Sequence, residues 1–457
     1  MFFMENILKK QNNFFKEGNT LSVNYRIDSL KKLKQSIFDN LEDLVKAFKE
    51  DYNKCEFDVY STEVGLVIKE INYFIKKLRK LSRVKRVGTS IINFPSKGYI
   101  FNEPYGNTLI VSPWNYPFQL AMMPLVGSLA AGNTVFLKCS RNTPEVSKII
   151  EKILSVFDDE YVYVVKNTKE NIERLFEIKF DYIFYTGSPA VARELMEKQA
   201  KYLTPMTLEL GGKSPCIVDK DADIEKCAKR VVWGKYLNAG QTCVAPDYVL
   251  VHGDVKENFM KLVLKYINDF YYIEGKLTSN FTNVANKKGM NKLIELIDQD
   301  KLVFGGKVVD GALEPTVLDN VNFNDEIMKE EIFGPIMPII EFNDLKEIIK
   351  CLKDKDKPLA LYYFGKGYKQ VVKNVSFGGG CINDTIMHLT EEKLPFGGVG
   401  LSGIGAYHGK KSFEVFSHQK SILKKSAKLE LSLKYPPYTK TKTKLTKIYF
   451  GIKDNKK

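Results

Sequence analysis

A cysteine set among small and polar residues, Cys243 in segment 237–244 (LNAGQTCV), follows a carboxylate that closes a β-like run, Glu209 in segment 207–215 (TLELGGKSP). A thiol attacks carbon as the thiolate, so its surroundings must favour ionisation without wrapping it in hydrocarbon, and Asn238, Gly240, Gln241 and Thr242 are residues of that kind. With Glu209 as a base, the two groups supply what a thiol-dependent enzyme needs. The alternative for any free cysteine is an inert buried thiol. That reading suits Cys55, Cys139, Cys216, Cys227, Cys351 and Cys381, which lie in apolar or neutral contexts with no Cys-x-x-Cys spacing.

Something must bring these two groups together, and the chain between residues 105 and 209 alternates strand-like and helix-like stretches. Residues 108–112 are β-branched and apolar, 119–131 form an apolar helical run stopped by Gly132 and Asn133, and 134–138 form another short strand. Thr143, Pro144 and Glu145 then give an N-cap, a first-turn proline and an early acid for a helix to about residue 156. A strand at 161–166, a helix around 168–177, a strand at 182–186 and a helix opening at 187–189 lead to the strand that ends at Glu209. Such alternation predicts a parallel, doubly wound α/β sheet, which binds ligands beyond the carboxyl ends of its strands. Gly187 and Ser188, in a strand-to-helix turn (YTGS, 185–188), are a candidate pyrophosphate seat; Gly-Ser also suits such a turn on steric grounds alone. A second α/β body follows, with a helix at 223–236, strands at 248–252 and 336–341, and an amphipathic helix at 257–270.

Composition bounds the rest. At 457 residues the chain calls for more than one domain, and 44% hydrophobic content is ample for burial. Seven cysteines without paired spacing, no leader-like apolar start and no bilayer-length apolar run predict a soluble protein of the reducing cytoplasm. The net charge of +14 is concentrated in the tail, where residues 424–457 hold eleven lysines against Glu430 and Asp454. Such a tail could make weak peripheral contact with an anionic membrane or bind nucleic acid weakly; a solvated lysine-rich end is the simpler reading. The alternation of Thr and Lys over 439–444 offers no apolar face and favours the simpler one, and no nucleic-acid partner is expected.

Two apparent motifs do not hold. Gly398–Gly403 (GVGLSG) fits a dinucleotide fingerprint in letters but follows no strand, so it reads as a glycine-rich loop. Gly212, Lys213 and Ser214 lack the upstream glycine of a phosphate-binding loop, because position 207 is threonine. His252, His388, His408 and His418 show no metal-ligand spacing, so no metal site is expected.

Six ordered segments, PWNYP (113–117), YTGS (185–188), LELGGKSP (208–215), GQTC (240–243), EEIFGP (330–335) and LPFGG (394–398), resemble the aldehyde dehydrogenase superfamily. YHGKKSF (407–413), FSHQ (416–419) and KYPPY (434–438) are similar to its fatty and aromatic (class 3-like) branch. The resemblance implies an NAD(P)-dependent oxidation of medium- to long-chain aliphatic or aromatic aldehydes to carboxylic acids. Cys243 would form the thiohemiacetal and then the thioester, the Asn115 side chain and the Cys243 backbone N–H would hold the oxyanion, and Glu209 would activate the hydrolytic water. Trp114, Lys138, Gly187, Ser188, Glu331 and Phe333 would contact NAD or NADP. The implied architecture is a Rossmann-type cofactor domain (1–85 and 106–209), an α/β catalytic domain (210–395), β segments bridging a homodimer (86–105 and 420–433) and a basic tail (434–457).

Two positions depart from the family pattern. Where a glutamate commonly lies three residues after the adenosine-side lysine, Lys138 is followed by Arg141, which could pair with a 2′-phosphate; acceptance of NADP is expected. Ala192 stands where a glycine is frequent. Two other chemistries use the same thiol, acyl transfer to coenzyme A and ester hydrolysis. Glu209 speaks against the first, and the cofactor-side segments speak against the second.

Overall fold

The computed structural model describes residues 3–453, which form two compact units, 3–81 with 104–418 and 82–103 with 419–453. The larger unit opens with helices α1 (Phe3–Lys16), α2 (Val23–Asp39), α3 (Leu41–Tyr52) and α4 (Gly65–Leu81), a π-helical turn at Val59–Val64 preceding the last. Each amphipathic helix buries one stripe: Leu30, Leu33 and Ile37 on α2, and Val67, Ile71, Phe74 and Leu78 on α4, recur every three or four residues.

The first sheet grows from β1 (Asn107–Val111), α5 (Gln119–Ala131), β2 (Thr134–Lys138), α6 (Pro144–Leu154), β3 (Val162–Val164), α7 (Lys169–Leu175), β4 (Tyr182–Thr186), α8 (Pro189–Ala200) and β5 (Met206–Glu209). Its strands lie parallel in the order β5-β4-β1-β2-β3. The chain builds outward from β1 in one direction and then, through β4, in the other. The crevice beyond the carboxyl ends of β1 and β4 is therefore the topological switch point of a doubly wound sheet. All five residues of β1 and all five of β4 are buried, as helices on both faces require.

Helix α5 is buried along its whole length, and it ends where Gly132, at φ +102°, donates its N–H to Ser128 and Leu129. Helix α6 differs from its sequence signature. Thr143 occupies the N-cap position but its side chain caps nothing; instead the Asp51 carboxylate of α3 accepts the N–H groups of Glu145 (3.2 Å) and Val146 (2.9 Å). A carboxylate from a helix nearly a hundred residues upstream does the capping, which local pattern cannot reveal.

The second sheet contains β6 (Pro215–Val218), β7 (Tyr248–His252), β8 (Leu302–Phe304), β9 (Thr316–Leu318), β10 (Ile336–Phe342), β11 (Ala360–Phe364) and β12 (Gly379–Ile382). Their order is β8-β9-β10-β7-β6-β11-β12, and only the β8–β9 pair is antiparallel. Helices α9 (Ile224–Tyr236) and α10 (Gly253–Tyr271) pack on each other. The segment 398–403 is not wholly a loop: β13 (Gly403–Ile404) pairs antiparallel with β5, opposing Gly403 to Glu209. A Cβ at Gly403, whose φ is +153°, would collide with the Leu208 carbonyl, so glycine permits this approach.

In the smaller unit, strands Lys85–Val87, Ser96–Pro104 and Ser417–Lys425 form one sheet, in that order. Helix α11 (Lys440–Phe450) follows, capped by Thr439. Residues 439–444 bring no apolar side chain to this helix, and its exposed apolar residues, Leu445, Ile448 and Tyr449, come from the turns that follow, where the 3.6-residue period places them together. Residues 454–457 of the basic tail lie outside the described residues. Among the described residues, no helix is long and apolar enough to cross a membrane.

Candidate active site

Cys243 follows a turn that few sequences tolerate. After α9, Asn238, Ala239 and Gly240 lie consecutively at φ +54°, +52° and +71°. Asparagine and glycine adopt this region readily; for Ala239 it costs on the order of 1–2 kcal/mol, so neighbouring contacts must hold the turn. A Cβ on Gly240 would overlap the Gly334 carbonyl, which joins this turn to the segment 330–335. The buried Gln241 side chain donates to the carbonyls of Asn238 and Asn283 (3.0 Å each) and accepts the N–H of Ala285 (3.0 Å).

Asn115 enters from the loop beyond β1. Its Nδ2 donates to the Gln241 carbonyl (3.1 Å), while its own carbonyl accepts from Asn238 Nδ2 (2.9 Å) and the Tyr52 hydroxyl (3.2 Å). The next residue, Tyr116, shares a 2.6 Å hydrogen bond with Thr242. Two segments over a hundred residues apart are thus stitched together beside the thiol.

Cys243 lies between two cavities. One, of about 250 Å³, is lined by Asn115, Glu209, Gly187, Ser188, Glu331 and Phe333 as well as Cys243. Trp114 also lines it and meets Phe333 edge-to-face, with centroids 5.5 Å apart. The other, of about 350 Å³, is walled largely by Tyr116, Trp233, Leu237, Ile386, Leu389 and Phe396. Cys243 thus lines both cavities, one carrying the carboxylates Glu209 and Glu331 and the other walled chiefly by apolar side chains.

The enclosure controls ionisation. Burial pushes the Cys243 thiol up, and the carboxylates of Glu331 and Glu209 push it the same way. Glu209 is 3% exposed, and among the described residues neither of its carboxyl oxygens has a hydrogen-bond partner. Burial alone holds its pKa well above the ordinary carboxylate range. Glu331 is pushed up to about 8, chiefly by burial and then by Asp247, while the Gly212 N–H, Lys213 and Lys235 oppose the rise. A buried carboxylate without a partner is expensive to keep.

Lys138 and Arg141 lie outside this cluster. Lys138 ends β2, where burial lowers its pKa, and Arg141 is exposed in the turn before α6. Neither lines either cavity. Sequence reasoning named Gln241 and Thr242 only as polar surroundings of the thiol, and it missed the part played by Tyr116 and the Lys213–Asp247 pair. Lys213 was visible within LGGKSP, but its partner was not.

The residues present suit a nicotinamide nucleotide. Gly187 keeps the mouth of β4 bare, since a Cβ there would strike the Tyr185 hydroxyl, and Ser188 leaves the first N–H groups of α8 uncapped by its side chain. Glu331 offers a carboxylate for sugar hydroxyls, and Phe333 and Trp114 an aromatic wall.

The aldehyde dehydrogenase family model matches residues 4–422. The chain belongs to the aldehyde dehydrogenase family. As a member, it is an NAD(P)-dependent enzyme that oxidises aldehydes to acids, and its relatives are of the class 3 kind. It is 42% identical to the 4,4'-diaponeurosporen-aldehyde dehydrogenase of Staphylococcus aureus, over 96% of this chain and 97% of that one. It is 40% identical to the "dimeric NADP-preferring" aldehyde dehydrogenase of Mus musculus, over 95% and 98% respectively. A solved Staphylococcus aureus AldH structure in a substrate-bound state superposes with a TM-score of 0.95 at 41% identity, covering 98% of this dehydrogenase and all of that chain.

Proposed function

We propose that this enzyme oxidises medium- to long-chain aliphatic or aromatic aldehydes, with Cys243 as nucleophile and Glu209 as the base that hydrolyses the acyl-enzyme. The placement of one thiol at the junction of an apolar chamber and a nucleotide-shaped cavity carries this reading. The Cys243 thiol gives its proton to solvent, and the thiolate sulfur attacks the carbonyl carbon of an aldehyde that has entered the apolar chamber. The resulting oxyanion is stabilised by Asn115 Nδ2, which exchanges its present bond to the Gln241 carbonyl for the charged oxygen. Glu331 and Phe333 would hold the nicotinamide cofactor, which would supply the hydride acceptor. Loss of hydride from the former aldehyde carbon leaves a thioester on Cys243. Glu209 takes a proton from water, the hydroxide attacks the thioester, and Cys243 departs as thiolate.

Lys138 and Arg141, side by side beyond β2, are assigned to the adenosine end of the cofactor, with Arg141 pairing a 2′-phosphate so that NADP is accepted. Assembly is proposed as a homodimer through the sheet of the smaller unit, a state the mouse relative's name also carries. Helix α11, with exposed Leu445, Ile448 and Tyr449 beside Lys444 and Lys447, supports a weak peripheral contact with anionic lipid. Purified enzyme with hexanal, decanal and benzaldehyde, each against NAD and NADP, tests the substrate reading through absorbance of the reduced cofactor. At roughly 0.8 kcal/mol per buried methylene, kcat/KM is expected to rise up to about two-hundredfold from hexanal to decanal. Equal rates for the two would refute an apolar chamber as the selecting element.

A further inference from the structure

Beneath the cofactor-side cavity lies a buried ion pair that the chemistry above does not use. Lys213 Nζ meets Asp247 Oδ2 at 2.6 Å, with side-chain exposures of 18% and 5%. The remaining donors of the ammonium group go to the main chain, to the carbonyls of Ile327 (3.0 Å) and Glu330 (2.8 Å). Asp247 turns its other oxygen to the Ile332 N–H (3.0 Å), and its own N–H donates to the Ser214 carbonyl (2.8 Å). The pair therefore grips the loop at 327, 330 and 332, on both sides of Glu331. The Glu331 carboxylate in turn rests on the glycines that precede Lys213: it accepts the Gly212 N–H, and a Cβ on Gly211 would overlap its Oε2.

We propose that Lys213 and Asp247 are positioning residues that set Glu331 and Phe333 for hydride transfer, tying the base segment, the nucleophile segment and the nicotinamide-facing loop into one frame. The inference rests on the assignment of Glu331 and Phe333 to the cofactor made above. Three features of the structure carry it. Lys213 lies four residues after Glu209 and Asp247 four residues after Cys243, so the pair links the chain segments that bear the two reacting groups. Phe333, immediately after the gripped Ile332, is at φ +53°, a conformation that costs a bulky residue on the order of 1–3 kcal/mol and persists only where surrounding bonds over-determine it. Finally, the grip is on backbone rather than on side chains, so it fixes where the loop is and leaves the Glu331 carboxylate and the Phe333 ring facing the cavity.

An ion pair this buried contributes little net stability when intact, because desolvation offsets attraction. Its worth lies in geometry, and a misplacement of about 1 Å at a reacting centre costs on the order of 10²-fold in rate. Asp247→Asn and Lys213→Met test this in the full-length enzyme. Three readouts are taken: steady-state aldehyde oxidation, NADH binding by fluorescence titration, and release of p-nitrophenolate from p-nitrophenyl acetate, which needs Cys243 but no nucleotide. The expected result is a loss of roughly 10–100-fold in kcat for oxidation, weaker NADH binding, a larger primary isotope effect with C1-deuterated aldehyde, and ester cleavage within a factor of a few of the parent. Lys213→Arg is expected to recover part of the loss. Should Lys213→Met fail to fold, Asp247→Asn reads the same contacts with a near-isosteric side chain. Oxidation, binding and ester cleavage falling together would reduce the pair to a structural prop and overturn the inference, as would variants with unchanged kcat and NADH affinity. A parent enzyme that oxidises no aldehyde would instead refute the proposed function, and the NADH titration would still test the loop.

Discussion

Replacing Glu209 with glutamine keeps the shape of the side chain and removes only its ability to accept a proton. In the structure the carboxyl is 3% exposed, both oxygens lack partners among the described residues, and burial is the sole cause of its raised pKa. Loss of a positioned general base slows the step it serves by typically 10²–10⁴-fold, so kcat should fall by about that much once hydrolysis of the thioester limits turnover. Acylation does not need this base for the water step, so a stopped-flow trace should show a rapid burst of reduced cofactor, near one per active site, followed by a slow steady state. The pH dependence has a definite sign. Because the folded pKa is raised, the base form accumulates only as pH climbs above the ordinary carboxylate range, so parental kcat should rise with pH on the acid limb, and this limb should vanish in Glu209→Gln. Stability should move oppositely. A group with a raised folded pKa favours the fold below its unfolded pKa and loses that contribution as pH rises through the folded one, so at neutral and alkaline pH Glu209→Gln should unfold at a higher temperature than the parent. A variant with parental kcat and no burst would refute the assignment of Glu209 as the hydrolytic base.

Three further outcomes are expected. Arg141→Glu should shift the kcat/KM ratio of NADP to NAD towards NAD by roughly 10–100-fold, the value of one charge-assisted hydrogen bond; a strong NAD preference already present in the parent and unaltered in the variant would end the idea. Gly211→Ala places a methyl against Glu331 Oε2, so KM for the cofactor should rise while nucleotide-free ester cleavage stays near the parental rate. Glu70 accepts the Gly409 N–H (2.9 Å) and the Ser412 hydroxyl (3.0 Å), and burial pushes its pKa up to about 7. Relative to Glu70→Gln, the parent should lose about 3 kcal/mol of stability as pH rises from the ordinary glutamate pKa to 7, read as the difference in urea unfolding between the two proteins at each pH.

Local pattern and physical structure agree where one element explains itself. The helix at 119–131 and the strands at 134–138, 182–186 and 248–252 stand where apolar periodicity and the Gly132 stop place them. They diverge where a distant residue acts. Thr143 looks like the cap of α6, yet Asp51 performs the capping; 398–403 looks like a loop, yet Gly403 opposes Glu209. Cys243, Glu209, Asn115, Glu331 and Phe333, which the structure brings to one cavity, could be singled out because each sits in a short segment of unusual composition. Their supports were not: Asn115 meets Gln241, and Asp247 meets Lys213 and Ile332, across separations that no periodicity encodes. The apolar chamber is likewise assembled from Tyr116, Trp233, Leu237 and Phe396, four side chains unremarkable in their own segments.

The most direct test of the account is trapping of the acyl group. Glu209→Gln enzyme mixed with decanal and oxidised cofactor, then quenched in acid, should carry a decanoyl adduct on the peptide bearing Cys243, and Cys243→Ser should carry none and oxidise decanal at a negligible rate. Turnover by Cys243→Ser at the parental rate, or an adduct on any other residue, would contradict covalent catalysis by this thiol.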